Sequence, residues 1–345
     1  MHSIAKLLTK FVAALVCSLV LWEVILECAV VRSPGTQTHP DLGRLVSPGL
    51  LVHGTEGFSV THINSLGMRC REIQTKSSGS FRVLMLGDSF TEGYQVADGR
   101  TFCDRVQVAL QRKYGSNVEV LNGGRSGGSP AYYLHLAKFY RDRVAPEFVV
   151  VQLDEGDFTQ DLLNANKPFA VVADRQTFKT VQNTSFISEN PFTQRFPKLS
   201  FLTSVSTLRV ASERMAALRG RAAPDREGGG ETAGLSAEGR RAMAWTISEL
   251  HQRYPRLLLV YLPAISYDRS TTQPSEVETM LAQEAEKNGV PLINMREDFI
   301  ANTRTTFQPP CGFNNSEPGV GHINDLGHAL TAARISDYLS SQIPQ

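Results

Sequence analysis

The chain has 345 residues and a formal net charge of +1, and 41% of its residues are hydrophobic. This length and composition are typical of one large globular domain, or two small ones, with a real core. The near-neutral charge gives no electrostatic reason to expect a nucleic acid as a partner, and no heptad, collagen or solenoid repeat is present.

Residues 1–32 differ in composition from the rest of the chain. The segment 11–31 is apolar except for one serine and two glutamates, and its 21 residues match the thickness of a bilayer at 1.5 Å per residue. Lys6 and Lys10 precede it, and such a positive flank stays in the cytoplasm. We therefore predict a single-pass signal anchor in the inner membrane with the remaining chain in the periplasm. A cleaved signal peptide is the alternative.

The next residues, 33–79, are predicted to be a linker and an N-terminal extension. Residues 33–55 in particular are rich in Pro, Gly, Thr and His, which is typical of a linker leaving a membrane. From residue 80 onward, apolar runs alternate with segments of helical spacing, and this pattern predicts one α/β domain over 80–345.

That domain is predicted to contain five strands and five helices. The strands are 81–86, 118–121, 148–153, 257–262 and 290–295, and the helices are 101–114, 131–143, 236–253, 276–287 and 325–339. Strands alternating with helices predict a parallel sheet with helices on both faces. Ligands of such sheets bind at the carboxyl ends of the strands.

An insertion at about 165–235 interrupts the alternation. Its last part, residues 219–234, is Gly-rich and charged, which is typical of a loop. The insertion could form a lid, a surface that binds a partner, or a surface elaboration without chemistry, and the sequence leaves all three open.

Cysteines do not define a cofactor site. Cys70, Cys103 and Cys311 lie beyond the apolar segment, so one disulfide with a free thiol and three unpaired thiols are both open. No Cys/His spacing suggests zinc, and we expect no metal and no cofactor.

A Gly-Asp-Ser sequence follows the first predicted strand, at Gly87, Asp88 and Ser89. A serine on a tight turn between a strand and a helix exposes its hydroxyl. The helix N-terminus beside it offers unpaired N–H groups that can hold a developing oxyanion. Taken alone, the sequence is an ordinary turn in which Ser89 is only an N-cap.

Two further motifs follow the second and third strands. Residues 122–127 contain three glycines, which allow the backbone to approach a ligand closely or form a flexible turn. Asp154, Glu155 and Asp157 cluster after the third strand. These carboxylates either bind a cation or polar substrate, or are solvated loop charges.

His322 stands just before the last predicted helix. Histidine is the side chain best suited to accept a proton near neutral pH. His328 follows six positions later inside the helix, and this is not a standard metal-binding spacing.

Four such motifs in this order resemble the GDSL/SGNH hydrolase superfamily, over about Val83 to Leu339. The apolar N-terminal segment, residues 62–69 and the sequence GDSFTEG also resemble its membrane-anchored bacterial members. The resemblance implies a flavodoxin-like three-layer α/β/α sandwich with a five-stranded parallel sheet. It implies that Ser89 is the nucleophile, that the N–H groups of Ser89 and Gly127 form the oxyanion hole, and that His322 is the base.

The sequence departs from the family pattern at two positions. Gly156 stands where the family has the asparagine that donates to the oxyanion, and Gly319 stands where it has the acid three residues before the histidine. We expect Glu317, or a backbone carbonyl, to orient His322 instead. Asp88, Asp157 and Asn324 are the expected substrate-binding residues.

The expected activity is hydrolysis of acyl esters, specifically O-acetyl esters of an extracytoplasmic carbohydrate. An O-acetyltransferase acting on a cell-surface polysaccharide is a close alternative, because a sugar hydroxyl then replaces water. A non-catalytic binding or assembly protein on a degenerate fold is the alternative that Gly156 and Gly319 favour.

Overall fold

The computed structural model describes residues 2–29, 36–54, 56–184, 235–264 and 273–343. Its strands are β1 (Thr36–His39), β2 (Gly43–Val46), β3 (Gly49–His53), β4 (Ser59–Ile63), β5 (Phe81–Leu86), β6 (Val118–Asn122), β7 (Phe148–Leu153), β8 (Phe169–Asp174), β9 (Thr177–Gln182), β10 (Leu257–Tyr261) and β11 (Leu292–Asn294). Its helices are α1 (His2–Ala29), α2 (Ser89–Glu92), α3 (Phe102–Tyr114), α4 (Pro130–Val144), α5 (Ala237–Arg253), α6 (Glu276–Lys287), α7 (Arg296–Thr306) and α8 (Asp325–Ser340), with a π-helical turn at Asp157–Asp161.

A five-stranded parallel sheet in the order β11-β10-β7-β5-β6 forms the centre of the domain. Alternate side chains of β5 enter different cores. Leu84 and Leu86 pack with α4, α5 and α6, whereas Val83 and Met85 pack with α3, α7 and α8. The predicted three-layer sandwich with a five-stranded parallel sheet is therefore confirmed.

The N-terminal helix α1 contains a segment, Ile4–Ile25, that is long and apolar enough to cross a membrane, with a mean hydropathy of 2.1 and none of it buried. A signal sequence has the same properties. The helix begins before the apolar run predicted from residue 11, because lysine is a good helix former whose long alkyl stem is tolerated beside apolar residues. Lys6 and Lys10 consequently lie within the helix.

The prediction of a linker over residues 33–55 is wrong for the part that the structure describes. Strands β1 and β2 form one antiparallel hairpin, and β3 and β4 form another. Along β4 buried and exposed side chains alternate, so the second hairpin has an inner and an outer face. Composition indicated a linker because these strands are short and carry many polar residues.

This N-terminal extension is fastened to the α/β domain by a buried arginine. Arg69 donates hydrogen bonds to the carbonyls of Glu92, Gly93 and Val96, which follow the Gly-Asp-Ser turn. Because buried carbonyls need partners, the bonds hold the extension against the segment that carries Ser89.

The first part of the predicted insertion forms a hairpin. Strands β8 and β9 pair antiparallel, and the ring of Phe169 stacks on that of His135 of α4 at 4.0 Å between centroids. Nε2 of His135 lies 2.8 Å from Oγ1 of Thr180. The rest of the insertion, residues 185–234, lies outside the described residues.

The cysteines described in the domain form no disulfide. Cys103 and Cys311 are buried and Cys70 is half-buried. Burial raises the pKa of Cys70, and that of Cys311, to about 12. These thiols are therefore protonated at neutral pH and do not serve as nucleophiles.

Candidate active site

Ser89 lies on a tight turn between β5 and α2. A side chain at Gly87 would place its Cβ 2.1 Å from Oγ1 of Thr91 and 2.4 Å from Oε1 of Gln152, so only glycine fits there. Asp88 caps α2 by accepting a hydrogen bond from the N–H of Phe90 at 2.9 Å. The turn therefore fixes the position of Ser89 at the carboxyl end of β5.

Ser89 and His322 meet, although 233 positions separate them: His322 Nε2 lies 2.7 Å from Ser89 Oγ. The other ring nitrogen, Nδ1, lies 2.6 Å from Oε2 of Glu56. The backbone N–H of His322 also donates to Oε1 of Glu56 at 3.0 Å. With a proton on Nδ1, the ring donates to Glu56 and accepts from the Ser89 hydroxyl, which is the tautomer that a general base requires.

The acid that orients His322 is therefore Glu56 and not Glu317. The backbone explains the difference, because Gly319 donates to Cys311 O and Gly312 donates to His322 O, both at 2.9 Å. The loop thus folds back on itself before His322, and Glu317 lies in its exposed part. No motif in the sequence marks Glu56, but Gly54 and Gly57 on either side of it are typical of a turn between two strands.

Glu56 keeps its negative charge in this setting. Burial acts to raise the pKa of Glu56, but the hydrogen bonds and charge of His322 outweigh burial and hold that pKa below its usual value. Burial and the charge of His322 lower the pKa of the nearby His53. An ionised carboxylate on Nδ1 stabilises the imidazolium that forms when His322 accepts a proton.

The glycine-containing loop 122–127 packs against the turn that carries Ser89. Buried Glu92 accepts hydrogen bonds from the N–H and the hydroxyl of Ser126, at 2.7 and 2.5 Å. Gly124 approaches so closely that a Cβ there would lie 2.3 Å from the Glu92 nitrogen. Gly127, with φ of +70°, follows at the half-buried end of this loop. An oxyanion hole formed by the N–H groups of Ser89 and Gly127 remains our prediction.

Two of the predicted substrate-binding residues have structural roles instead. Asp157 is 2% exposed, and its carboxylate accepts from the Tyr133 hydroxyl at 3.0 Å and from the Asp154 N–H at 3.1 Å. Asn324 caps α8 through its side-chain oxygen, and its Nδ2 donates to the carbonyls of residues 309 and 312. Their polar atoms are thus engaged within the protein. A contact between Asp88 and the substrate remains a prediction.

Gly156 can be replaced by asparagine without backbone strain. Its φ of −63° and ψ of −33° lie in the right-handed helical region, and a Cβ would meet only Oδ1 of Asp154, at 3.1 Å. One oxyanion donor contributes about 10²–10³-fold to kcat. We expect Gly156→Asn to raise ester hydrolysis by up to about 10²-fold, measured as kcat on an aryl ester.

Gly156→Leu is the matched control, because leucine has a similar size and no donor, and it should give no increase. Unchanged kcat in a folded Gly156→Asn variant whose amide points into the site would contradict the idea that a donor is missing.

Several solved structures resemble the chain at low sequence identity. No family model matches the chain, and no curated protein matches it. A solved two-domain esterase active on acetylated mannans is 13% identical to this chain, with a TM-score of 0.42. The match covers 76% of this chain and 50% of that one, so the chain spans about half the length of that esterase. An acetyl xylan esterase is 14% identical with a TM-score of 0.42, covering 76% of this chain and 100% of that one. A lipase/acylhydrolase from Enterococcus faecalis is 14% identical with a TM-score of 0.40, covering 76% and 97%.

The chain's own features are more informative than these matches. The sheet order puts the ends of β5, β6 and β7 side by side. Ser89 and His322 lie within hydrogen-bond distance at that edge. Together with the sequence motifs, this arrangement is similar to that of the GDSL/SGNH hydrolases.

Proposed function

We propose that the protein is a serine esterase of the GDSL/SGNH type. The observation that carries the proposal is the continuous chain of contacts from Ser89 Oγ through the ring of His322 to the carboxylate of Glu56. Such a chain activates a hydroxyl that is a weak nucleophile by itself.

The reaction follows from this geometry in two halves. Ser89 Oγ attacks the acyl carbonyl while His322 Nε2 takes its proton, and the oxyanion faces the N–H groups of Ser89 and Gly127. The intermediate collapses to an acyl-Ser89 ester, and His322 returns the proton to the departing alkoxide. Water then attacks the acyl carbon as His322 takes its proton, and His322 returns that proton to Ser89 Oγ as the carboxylic acid is released.

The substrate that we propose is an O-acetyl ester of an extracytoplasmic carbohydrate. This choice rests on the resemblance to the family and on the apolar helix α1, which is suited to exporting the domain. The test is to incubate the purified protein with acetylated polysaccharides and small aryl esters, each with and without a sugar acceptor.

Acetate release that Ser89→Ala abolishes would support the esterase. Acetate transfer to the acceptor in preference to water would instead support the acetyltransferase. The absence of both, together with no labelling by a fluorophosphonate, would contradict an enzyme and favour the binding-protein alternative.

We also propose that α1 anchors the protein as a single span with the domain in the periplasm. The apolar run 11–31, together with Lys6 and Lys10 on its N-terminal side, supports this orientation. The intact protein should remain in the membrane fraction after salt and alkali extraction. A soluble form with a new N-terminus near residue 30 would show a cleaved signal instead.

A further inference from the structure

Glu56 lies in the turn between β3 and β4, and one distant side chain holds that turn. Asn315, which is 258 positions from Gly57, accepts a hydrogen bond from the Gly57 N–H at 2.7 Å. The Nδ2 of Asn315 donates to Gly54 O at 3.2 Å and to Gly57 O at 2.9 Å. Three hydrogen bonds from one amide therefore fasten the residues on both sides of Glu56.

Asn315 belongs to the loop that ends at His322. Within this loop Phe313 and Ser316 are joined by three hydrogen bonds, from Phe313 N to Ser316 Oγ at 3.1 Å and to Phe313 O from Ser316 N at 3.0 Å and Ser316 Oγ at 3.4 Å. Gly312 donates to His322 O at 2.9 Å. The base and the amide that holds its acid are thus parts of one internally bonded loop.

The turn that carries Glu56 is tightly packed against its neighbours. Gly57 has φ of +70°, and a Cβ there would lie 2.3 Å from Gln95 O. Gly321 has φ of +87°, and a Cβ there would lie 2.3 Å from Oε1 of Glu56. A side chain at position 321 would therefore push the Glu56 carboxylate away from His322.

We infer that Asn315 is a positioning residue, which keeps Glu56 on Nδ1 of His322. In the family pattern the acid is three residues from the histidine, so the chain itself links the two. Here Gly319 occupies that position and the acid comes from a separate hairpin, and the three hydrogen bonds of Asn315 provide the link. The inference rests on the proposed function, because the role of Asn315 is to position the catalytic carboxylate of Glu56 and not to bind the substrate.

The test is a double-mutant cycle on kcat in the full-length protein. Asn315 is exposed, so Asn315→Ala leaves the core intact. Since displacement of a catalytic group by about 1 Å can cost about 10²-fold in rate, Asn315→Ala should lower kcat roughly 10- to 100-fold with little change in KM. In a Glu56→Gln background the same change should have no further effect on kcat.

Two other variants complete the test. Gly321→Ala should reproduce the loss seen in Glu56→Gln. Asn288→Ala is the matched control, because Asn288 donates its amide to Glu284 O at the C-terminal end of α6, before β11. It should leave kcat unchanged. Wild-type kcat in Asn315→Ala, or an equal loss in both backgrounds, would overturn the inference.

A second readout does not depend on esterase activity. The proton on His322 Nδ1 should give a far-downfield NMR signal while it is bound to Glu56, and Asn315→Ala should remove or broaden that signal. An unchanged signal in Asn315→Ala would overturn the inference. Hydrolysis that survives Ser89→Ala would contradict the proposed function alone.

Discussion

Ser89→Ala and His322→Ala should each lower kcat for ester hydrolysis by about 10⁴-fold or more. The double variant should be little worse than either single variant. The reason is the 2.7 Å contact between Ser89 Oγ and His322 Nε2, which makes the hydroxyl and the ring one functional unit. Initial rates on an aryl ester at saturating concentration, with all three purified variants, provide the measurement.

The controls for this experiment are one serine and one histidine outside the site. Ser341 is exposed beyond α8, and the His62 side chain is 70% exposed on β4. Their alanine variants should keep wild-type kcat. Losses that add up in the double variant would mean that Ser89 and His322 contribute separately, contrary to the mechanism.

Glu56→Gln should lower kcat by about 10²–10⁴-fold, whereas Glu317→Gln should change it by no more than about twofold. The glutamine removes the charge that stabilises the His322 imidazolium and no longer fixes its tautomer. Both variants replace a glutamate by a glutamine, so any difference between their kcat values comes from the position of the residue and not from the type of substitution. Equal losses, or a larger loss in Glu317→Gln, would refute the assignment of Glu56.

The lowered pKa of Glu56 also sets the pH dependence of this contact. Its usual value is 4.5, and the folded protein holds it lower. The unfolded chain therefore binds the proton first as the pH falls. The stabilisation that the contact between Glu56 and His322 gives to the folded protein is complete above pH 4.5. It is lost as the pH falls through the lowered pKa that Glu56 has in the folded protein. Glu56→Gln should abolish this part of the acid dependence in thermal melts.

The sheet and the Ser–His pair were predictable because their signals are local. Strands β5 and β7 are mostly apolar and buried along their whole length, which is typical of parallel strands in a central sheet. Helices α5 and α6 begin after Ser236 and Ser275, which cap them as their residue type suggests. The order of these elements then places Ser89 and His322 at one edge of the sheet.

Glu56 was not predictable because its role depends on a contact across 266 positions. Its neighbours in sequence form a short hairpin, and nothing local indicates which carboxylate reaches His322. Helix α7 was missed as well, because two of its buried residues, Arg296 and Thr303, are polar and its apolar stripe is therefore weak.

The two glycines that weaken the family resemblance have different explanations. At Gly319 the missing acid is replaced from the hairpin by Glu56, so the substitution no longer favours a degenerate site. At Gly156 the backbone has an ordinary helical conformation and its N–H binds Asp154 at 2.7 Å. A reduced oxyanion hole is therefore the feature that we expect to limit the rate.

The most direct test of the serine esterase is to map the covalent adduct that a fluorophosphonate forms with the protein. Peptide mass spectrometry of the labelled protein should find one modified residue, Ser89. The labelling rate should fall strongly in His322→Ala and Glu56→Gln, and remain unchanged in Glu317→Gln. No adduct on the folded protein, or an adduct on a different residue with Ser89 unmodified, would contradict the account.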